Sequence, residues 1–285
     1  MIVLALIMAT GNCLAQIPEK FSHVFQEDAG PGHAIQGSAI YGDILFQFHN
    51  TNKTACLFSI SQKKFILEIP MDEKATYHCN NAEFSTERYD SKDHFPLLYI
   101  SMENVSEHKI LVYRIMNEAS GAKAEKVQEI ILPRPVEMGL YYPNITLDKD
   151  ERMLYITGYS LESWNKDENG NGLQLLQFAL PDFRSGSIVS LSATDILSRK
   201  HSDFRVATQG ATIRGGKLYQ SFGVPGMGPT SLSCFNLKEG KTEWTIDLPL
   251  KGFKEEPEGL DMYGDEIYII DGTGGVWATG IHTNP

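Results

Sequence analysis

Residues 36–47 read QGSAIYGDILFQ, residues 209–220 read QGATIRGGKLYQ, and residues 258–269 read EGLDMYGDEIYI. In alignment, the first position is Gln36, Gln209 or Glu258, and the second is always glycine (Gly37, Gly210, Gly259). The fifth is apolar (Ile40, Ile213, Met262) and the seventh is glycine again (Gly42, Gly215, Gly264). Strand-forming residues on both sides of a Gly- or Asp-containing turn specify a short strand, a reversal, and a second strand paired back on the first.

Further strands follow each copy. ACLFSI and KFILEIP come after the first, and TSLSCFNL and KTEWTIDLP after the second. Two weaker copies lie between them. HCNNAEF leads to FPLLYISMEN, KILVYRIM and KVQEIILP, while YYPNITL leads to RMLYITGYS, LQLLQFALP and SIVSLSATDIL. Units of four short strands at this spacing predict an all-β chain, a five-bladed β-propeller with blades opening at Gln36, Asn81, Asn144, Gln209 and Glu258. The last unit holds only three strands (EGLDMY, EIYIID, GVWATGI), so KFSHVFQ near the N-terminus is expected to supply its outer strand and remove an open edge. The alternative is a two-sheet sandwich that repeats a hairpin signal. DILSRKHSDF is read as one or two helical turns.

The opening MIVLALIMATGNCLAQ is uncharged and apolar, too short to span a bilayer, and ends in small residues. Residues 1–15 are read as a secretory signal peptide and residues 16–285 as one propeller domain, which places the protein outside the cytoplasm. A buried N-terminal strand is the alternative, and Cys13 raises lipid attachment as a side possibility. Cys56, Cys79 and Cys234 remain, with no zinc-site spacing, and are read as small buried residues with at most one disulfide. A formal net charge of −11 without a Lys/Arg cluster argues against nucleic acid and anionic membranes as partners. The chain is expected to be a monomer.

In a propeller the innermost strands line the central channel. The ring of Gln36, Asn81, Asn144, Gln209 and Glu258 is therefore the candidate ligand site. His33, His78 and Glu255 precede three of its members by three residues, and Arg205 and Trp164 can reach the same face from loops. A small molecule, glycan or peptide suits a concave, polar-lined mouth. Ring-closing structural bonds are the competing role for these residues. If the site is catalytic, His78, Glu83 and Glu258 are the residues expected to carry it, with Glu256 and His33 as further titratable candidates. No G-x-S-x-G elbow is present. The calcium-loop half-match DENGNG (167–172) places Phe178 where a bidentate Glu is required, so neither metal nor cofactor is implied. DGTGG (271–275) reads as a turn, and Trp244 and Trp277 as inter-blade core. The Asn-x-Ser/Thr triplets at Asn52, Asn104 and Asn144 carry no weight.

The QG…G.LY and EGLDMYGDEIYI units resemble those of secreted bacterial five-bladed propellers of the glutamine-cyclotransferase-like kind. HCNNAEFSTERYDSKDHFPLLYIS is similar to uncharacterised exported propellers of Bacteroides-type bacteria. The first resemblance implies the architecture and a site at the channel mouth. Its enzymes would add a pocket lined by carboxylates and tryptophans, for which this chain offers Gln36 and Glu258 at matching starts and Trp164 alone among tryptophans. Two functions stay open: a binding module or interaction scaffold, and an enzyme (cyclotransferase, lactonase or glycan-active) with a carboxylate–histidine site on the same rim.

Overall fold

In the computed structural model, the described residues are 17–26, 35–49, 54–71, 79, 81–103, 108–118, 121–160, 173–202, 208–224, 226, 230–280. The strands are numbered in chain order. Blade I holds β2 (Ile35–Tyr41), β3 (Ile44–His49), β4 (Thr54–Ser59) and β5 (Lys64–Pro70). Blade II holds β6 (Ala82–Phe84), β7 (Leu98–Glu103), β8 (His108–Glu118) and β9 (Gly121–Ile131). Blade III holds β10 (Leu140–Asp148), β11 (Met153–Ser160), β12 (Leu173–Ala179) and β14 (Ser198–Ser202). Blade IV holds β15 (Thr208–Arg214), β16 (Lys217–Phe222), β17 (Ser231–Asn236) and β18 (Lys241–Asp247). Blade V holds β19 (Pro257–Tyr263), β20 (Glu266–Asp271) and β21 (Gly275–Gly280), completed by β1 (Ser22–Gln26). All pairings within these four-stranded units are antiparallel.

The fold is a five-bladed β-propeller, and the core shows that it closes. Alternate residues of a strand face opposite sides of the sheet, and each blade is apolar on both. Phe46 and Phe48 pack toward Phe84 and Leu98 of blade II, while Leu45 and Phe58 pack toward Ile270 and Val276 of blade V. Further clusters join blades II and III, III and IV, and IV and V. An open row of five blades would have four interfaces; this molecule has five. Trp244 is buried between blades IV and V, and the half-buried Trp277 packs on the same cluster.

The N-terminal segment closes the ring as expected. Ser22 and His23 pair with Ala278 and Trp277, and Phe21, 1% exposed, packs edge-on against Phe253. One expected strand lies elsewhere. Within SIVSLSATDIL, Ile188–Ser190 (β13) pairs in parallel with β9 and so adds a fifth strand to blade II. The outer strand of blade III is instead SRKHS (198–202), inside the stretch read as helical (195–204); a single 3-10 turn, Ala193–Asp195, ends at the first residue of that stretch. The cause is local. The Gln128 amide donates to the carbonyls of Asp182 (3.1 Å) and Gly186 (2.9 Å), which draws the 182–188 turn onto blade II.

Cys56, Cys79 and Cys234 are buried free thiols. DGTGG is a turn held by Asp271, whose carboxylate accepts from Thr273 N, Thr273 Oγ1, Gly275 N and Trp277 Nε1. The leader, Cys13, His33, Asn52, His78, Asn104, Trp164, DENGNG and Arg205 lie outside the described residues. Among the described residues no helix is long and apolar enough to cross a membrane.

Candidate functional site

The two conserved features of the repeat do different jobs. The seventh-position glycines (Gly42, Gly215, Gly264) have φ between +56° and +61° with open space around them, as the reversal between the first two strands demands. The second-position glycines sit where innermost strands touch. A Cβ on Gly37 would lie 2.6 Å from the Cys79 carbonyl oxygen. One on Gly210 would overlap Leu260 N, and one on Gly259 would overlap Ser38 Oγ. On blades I, IV and V the innermost strands approach so closely at this level that only glycine fits.

Below that level, toward the far face, one polar network joins all five blades. Glu83 accepts from Thr146 Oγ1 (2.7 Å) and Leu147 N (2.7 Å) and pairs with Lys149 at 3.1 Å. Thr212 Oγ1 lies 3.1 Å from Glu83 Oε1 and 3.3 Å from Asp261 Oδ1. Asp261 also accepts from Ile40 N (2.6 Å) and Met262 N (2.7 Å). Burial raises the pKa of both carboxyls, and their mutual repulsion adds to it for Glu83, while Lys149 acts in the opposite sense. Burial works against the charge of Lys149, but Glu83 and Asp261 outweigh it and its pKa is also raised. Since Thr212 has one proton to donate and two carboxyls to meet, a carboxyl proton completes the arrangement.

These contacts set the register of the ring. Thr212 and Asp261 occupy fourth positions of the repeat, and Glu83 and Thr146 are level with them. Asn81 and Asn144 therefore stand level with the second-position glycines, one place deeper than the alignment put them. Both are fully buried. Asn81 Nδ2 donates to Ile145 O and Ala211 O, each at 2.7 Å, so its amide spans from blade II to blades III and IV. Asn144 Nδ2 donates to Gln209 O. The Asn81 backbone is held by Ser101, whose Oγ accepts from Asn81 N (2.8 Å) and donates to Asn81 O (2.9 Å). At this height asparagine amides bridge blades II, III and IV.

Above it, at the end where the innermost strands begin, lie Gln36, Gln209 and Glu258, with 8%, 8% and 6% exposure. Gln36 Nε2 donates to Glu258 Oε1 (3.2 Å), and Gln209 Nε2 donates to Glu256 Oε1 (2.9 Å). Glu256 is half-buried and Glu255 is exposed. Gln36, Gln209 and Glu258 thus share the mouth, whereas Glu83 belongs to the network on the other side of the asparagines. Asp261, only three residues beyond Glu258, lies about 10 Å along the strand from it at ~3.3 Å per residue. Asp261, Thr212 and Lys149 had not been singled out from sequence. The available signal was position four of the repeat, polar in two of three copies (Ala39, Thr212, Asp261).

No protein-family model and no curated protein matches the chain. Solved structures do. A glutaminyl cyclase from Myxococcus xanthus is 10% identical with a TM-score of 0.50, over 91% of this chain and 95% of that one. A luciferin-regenerating enzyme is 13% identical with a TM-score of 0.46, over 90% and 95%. Hydrazine synthase from Kuenenia stuttgartiensis is 14% identical with a TM-score of 0.40, and the alignment spans 82% of this chain but only 61% of that chain. At these identities the likeness is one of fold alone.

Proposed function

We propose that this is an exported propeller that binds a small polar ligand, a glycan or a peptide at the channel mouth. One observation carries the reading: two carboxylate–amide pairs, Gln36–Glu258 and Gln209–Glu256, stand on blades I, IV and V above the asparagine bridge. Such pairs present oriented donors and acceptors whose geometry is already fixed, which lowers the cost of ordering them around a ligand. The leader-like residues 1–15 support an extracytoplasmic place of action.

The same two carboxylates carry a second reading, an enzyme acting on a small cyclic or cyclisable substrate or a sugar. In that case Glu258 would work with Glu256 at the mouth, and with His78 if the preceding loop brings it there. The positions of the glutaminyl cyclase and the luciferin-regenerating enzyme among the structural neighbours make chemistry at this rim worth assaying; they carry no substrate over to it.

The test is a thermal-shift screen of the purified chain against sugars, short peptides and lactones, each hit then incubated overnight and weighed by mass spectrometry. A stabilising compound recovered unchanged supports binding, and one recovered with altered mass supports the enzyme. Gln36→Ala and Gln209→Ala are expected to weaken the hit at least severalfold while leaving Tm within a few degrees. If no compound class stabilises the protein, or if both variants bind as tightly as the parent, the mouth is not the site.

A further inference from the structure

The connection from β12 to β13 crosses from blade III to blade II on the far face, the side where the innermost strands end. Between it and the β6–β7 connection lies an open pocket of about 500 Å³, lined by Tyr89, Val127, Phe183, Arg184, Gly186 and Ser187. That volume suits a small organic molecule. Its base is firm: Phe183 is 6% exposed in the core shared by blades II and III, and the Tyr89 ring packs on it at 5.6 Å between centroids. The bonds from Gln128 to Asp182 O and Gly186 O hold the 182–186 wall in place.

Two arginines decide which charge fits. The Arg114 guanidinium lies 4.9 Å from the centre of the Tyr89 ring, and that of Arg184 lies 4.1 Å from the centre of the Phe183 ring. A cationic ligand would find each ring already holding a cation and would meet like charge as well. Of the two, Arg114 is neutralised by Asp93, which accepts from Nε at 2.9 Å and from Nη2 at 2.8 Å. Arg184 faces Asp182 across 3.9 Å with both side chains exposed, a pair of little strength. The same Asp182 oxygen already accepts from the Arg184 backbone N–H at 2.8 Å. None of the Arg184 side-chain N–H groups is hydrogen-bonded among the described residues. Stacking on a buried ring fixes the guanidinium plane and leaves its edge free to fork onto a carboxylate. We propose that this pocket binds a small carboxylate carried on a ring, with the carboxylate on Arg184 and an apolar face of the ring against Tyr89 and Val127. A uronic sugar and an aromatic acid share that chemistry. The site lies on the opposite face from the mouth and is independent of what the mouth binds.

Sodium glucuronate and sodium benzoate are the probes, with glucose and benzyl alcohol as their uncharged counterparts. The full chain is titrated with each and followed by amide-resolved NMR. Saturable shifts at Gly186 and Ser187 are expected with at least one of the two acids, and binding at least severalfold weaker with its uncharged counterpart. The acid that binds tells a sugar source from an aromatic one. Arg184→Gln should lower affinity for that acid at least severalfold while Tm stays unchanged, because the side chain is exposed. Arg184→Lys keeps the charge but loses the planar fork, and should recover only part of the loss. Absence of saturable shifts at Gly186 and Ser187, equal shifts with sodium chloride, equally tight binding of the uncharged counterpart, or undiminished binding by Arg184→Gln would each overturn the proposal. So would shifts confined to Gly37 and Gly259, beneath the mouth, which would assign the acid to the mouth instead.

Discussion

A glycine that gives way to a turn and a glycine that gives way to a neighbour differ in how they fail. Gly42→Ala has open space and suffers only left-handed backbone strain, about 1–2 kcal/mol. Gly210→Ala would drive a methyl into the Leu260 backbone and push two blades apart. It is expected to cost roughly 3 kcal/mol or more, at the upper end of overpacking penalties. Urea denaturation of the two variants checks the ordering, and equal losses would mean that the centre is looser than described. The repeat made both glycines visible, but nothing in it said which was which. Asn81 was legible as a polar residue of the ring and not as its bridge. In the second and third units the asparagine replaces the glycine one place further in, a slip that twelve residues of imperfect similarity cannot register.

At the scale of single elements, what could be read was each strand's existence, and what could not was its partner. KFSHVFQ was placed because the strand count left one vacancy and the chain end was free to fill it. SIVSLSATDIL was misplaced because three residues of strand carry no record of the edge they join; the decision sits in Gln128, sixty residues away, with its two bonds to the 182–186 turn. Gln128→Ala is expected to speed amide exchange at Ile188–Ser190 selectively, with a global loss of about 1–2 kcal/mol for the hydrogen bonds removed. Uniform exchange across blade II would contradict that role. The closing strand carries more. Phe21→Ala empties a site between blades IV and V and should cost about 3–5 kcal/mol, with faster exchange along Gly275–Gly280, its former neighbour's strand.

For the molecule as a whole, the network around Glu83 is the joint that touches every blade. Glu83→Ala leaves Lys149, Thr146 and the Leu147 amide without their common partner, and a loss of about 3–5 kcal/mol is expected for breaking one side of a buried pair. The proton linkage runs opposite to that of a surface salt bridge. Because burial raises Glu83 and Asp261 in the folded state, folding takes up protons above the ordinary carboxylate range. Stability should therefore fall as pH rises out of the ordinary carboxylate range toward the raised values, and Glu83→Gln should flatten that slope. An equal slope in both proteins would place the shared proton elsewhere. Fold was legible from sequence because strands repeat; this joint was not, because its members come from five distant segments, and the fourth position of the repeat is polar in only two of its three copies (Ala39, Thr212, Asp261).

The asparagine bridge across the axis has a consequence for traffic. On the proposed reading, a ligand that meets this bridge from the mouth leaves by the way it came, which suits the end of a polymer, a side branch or a free small molecule and not a chain running through the axis.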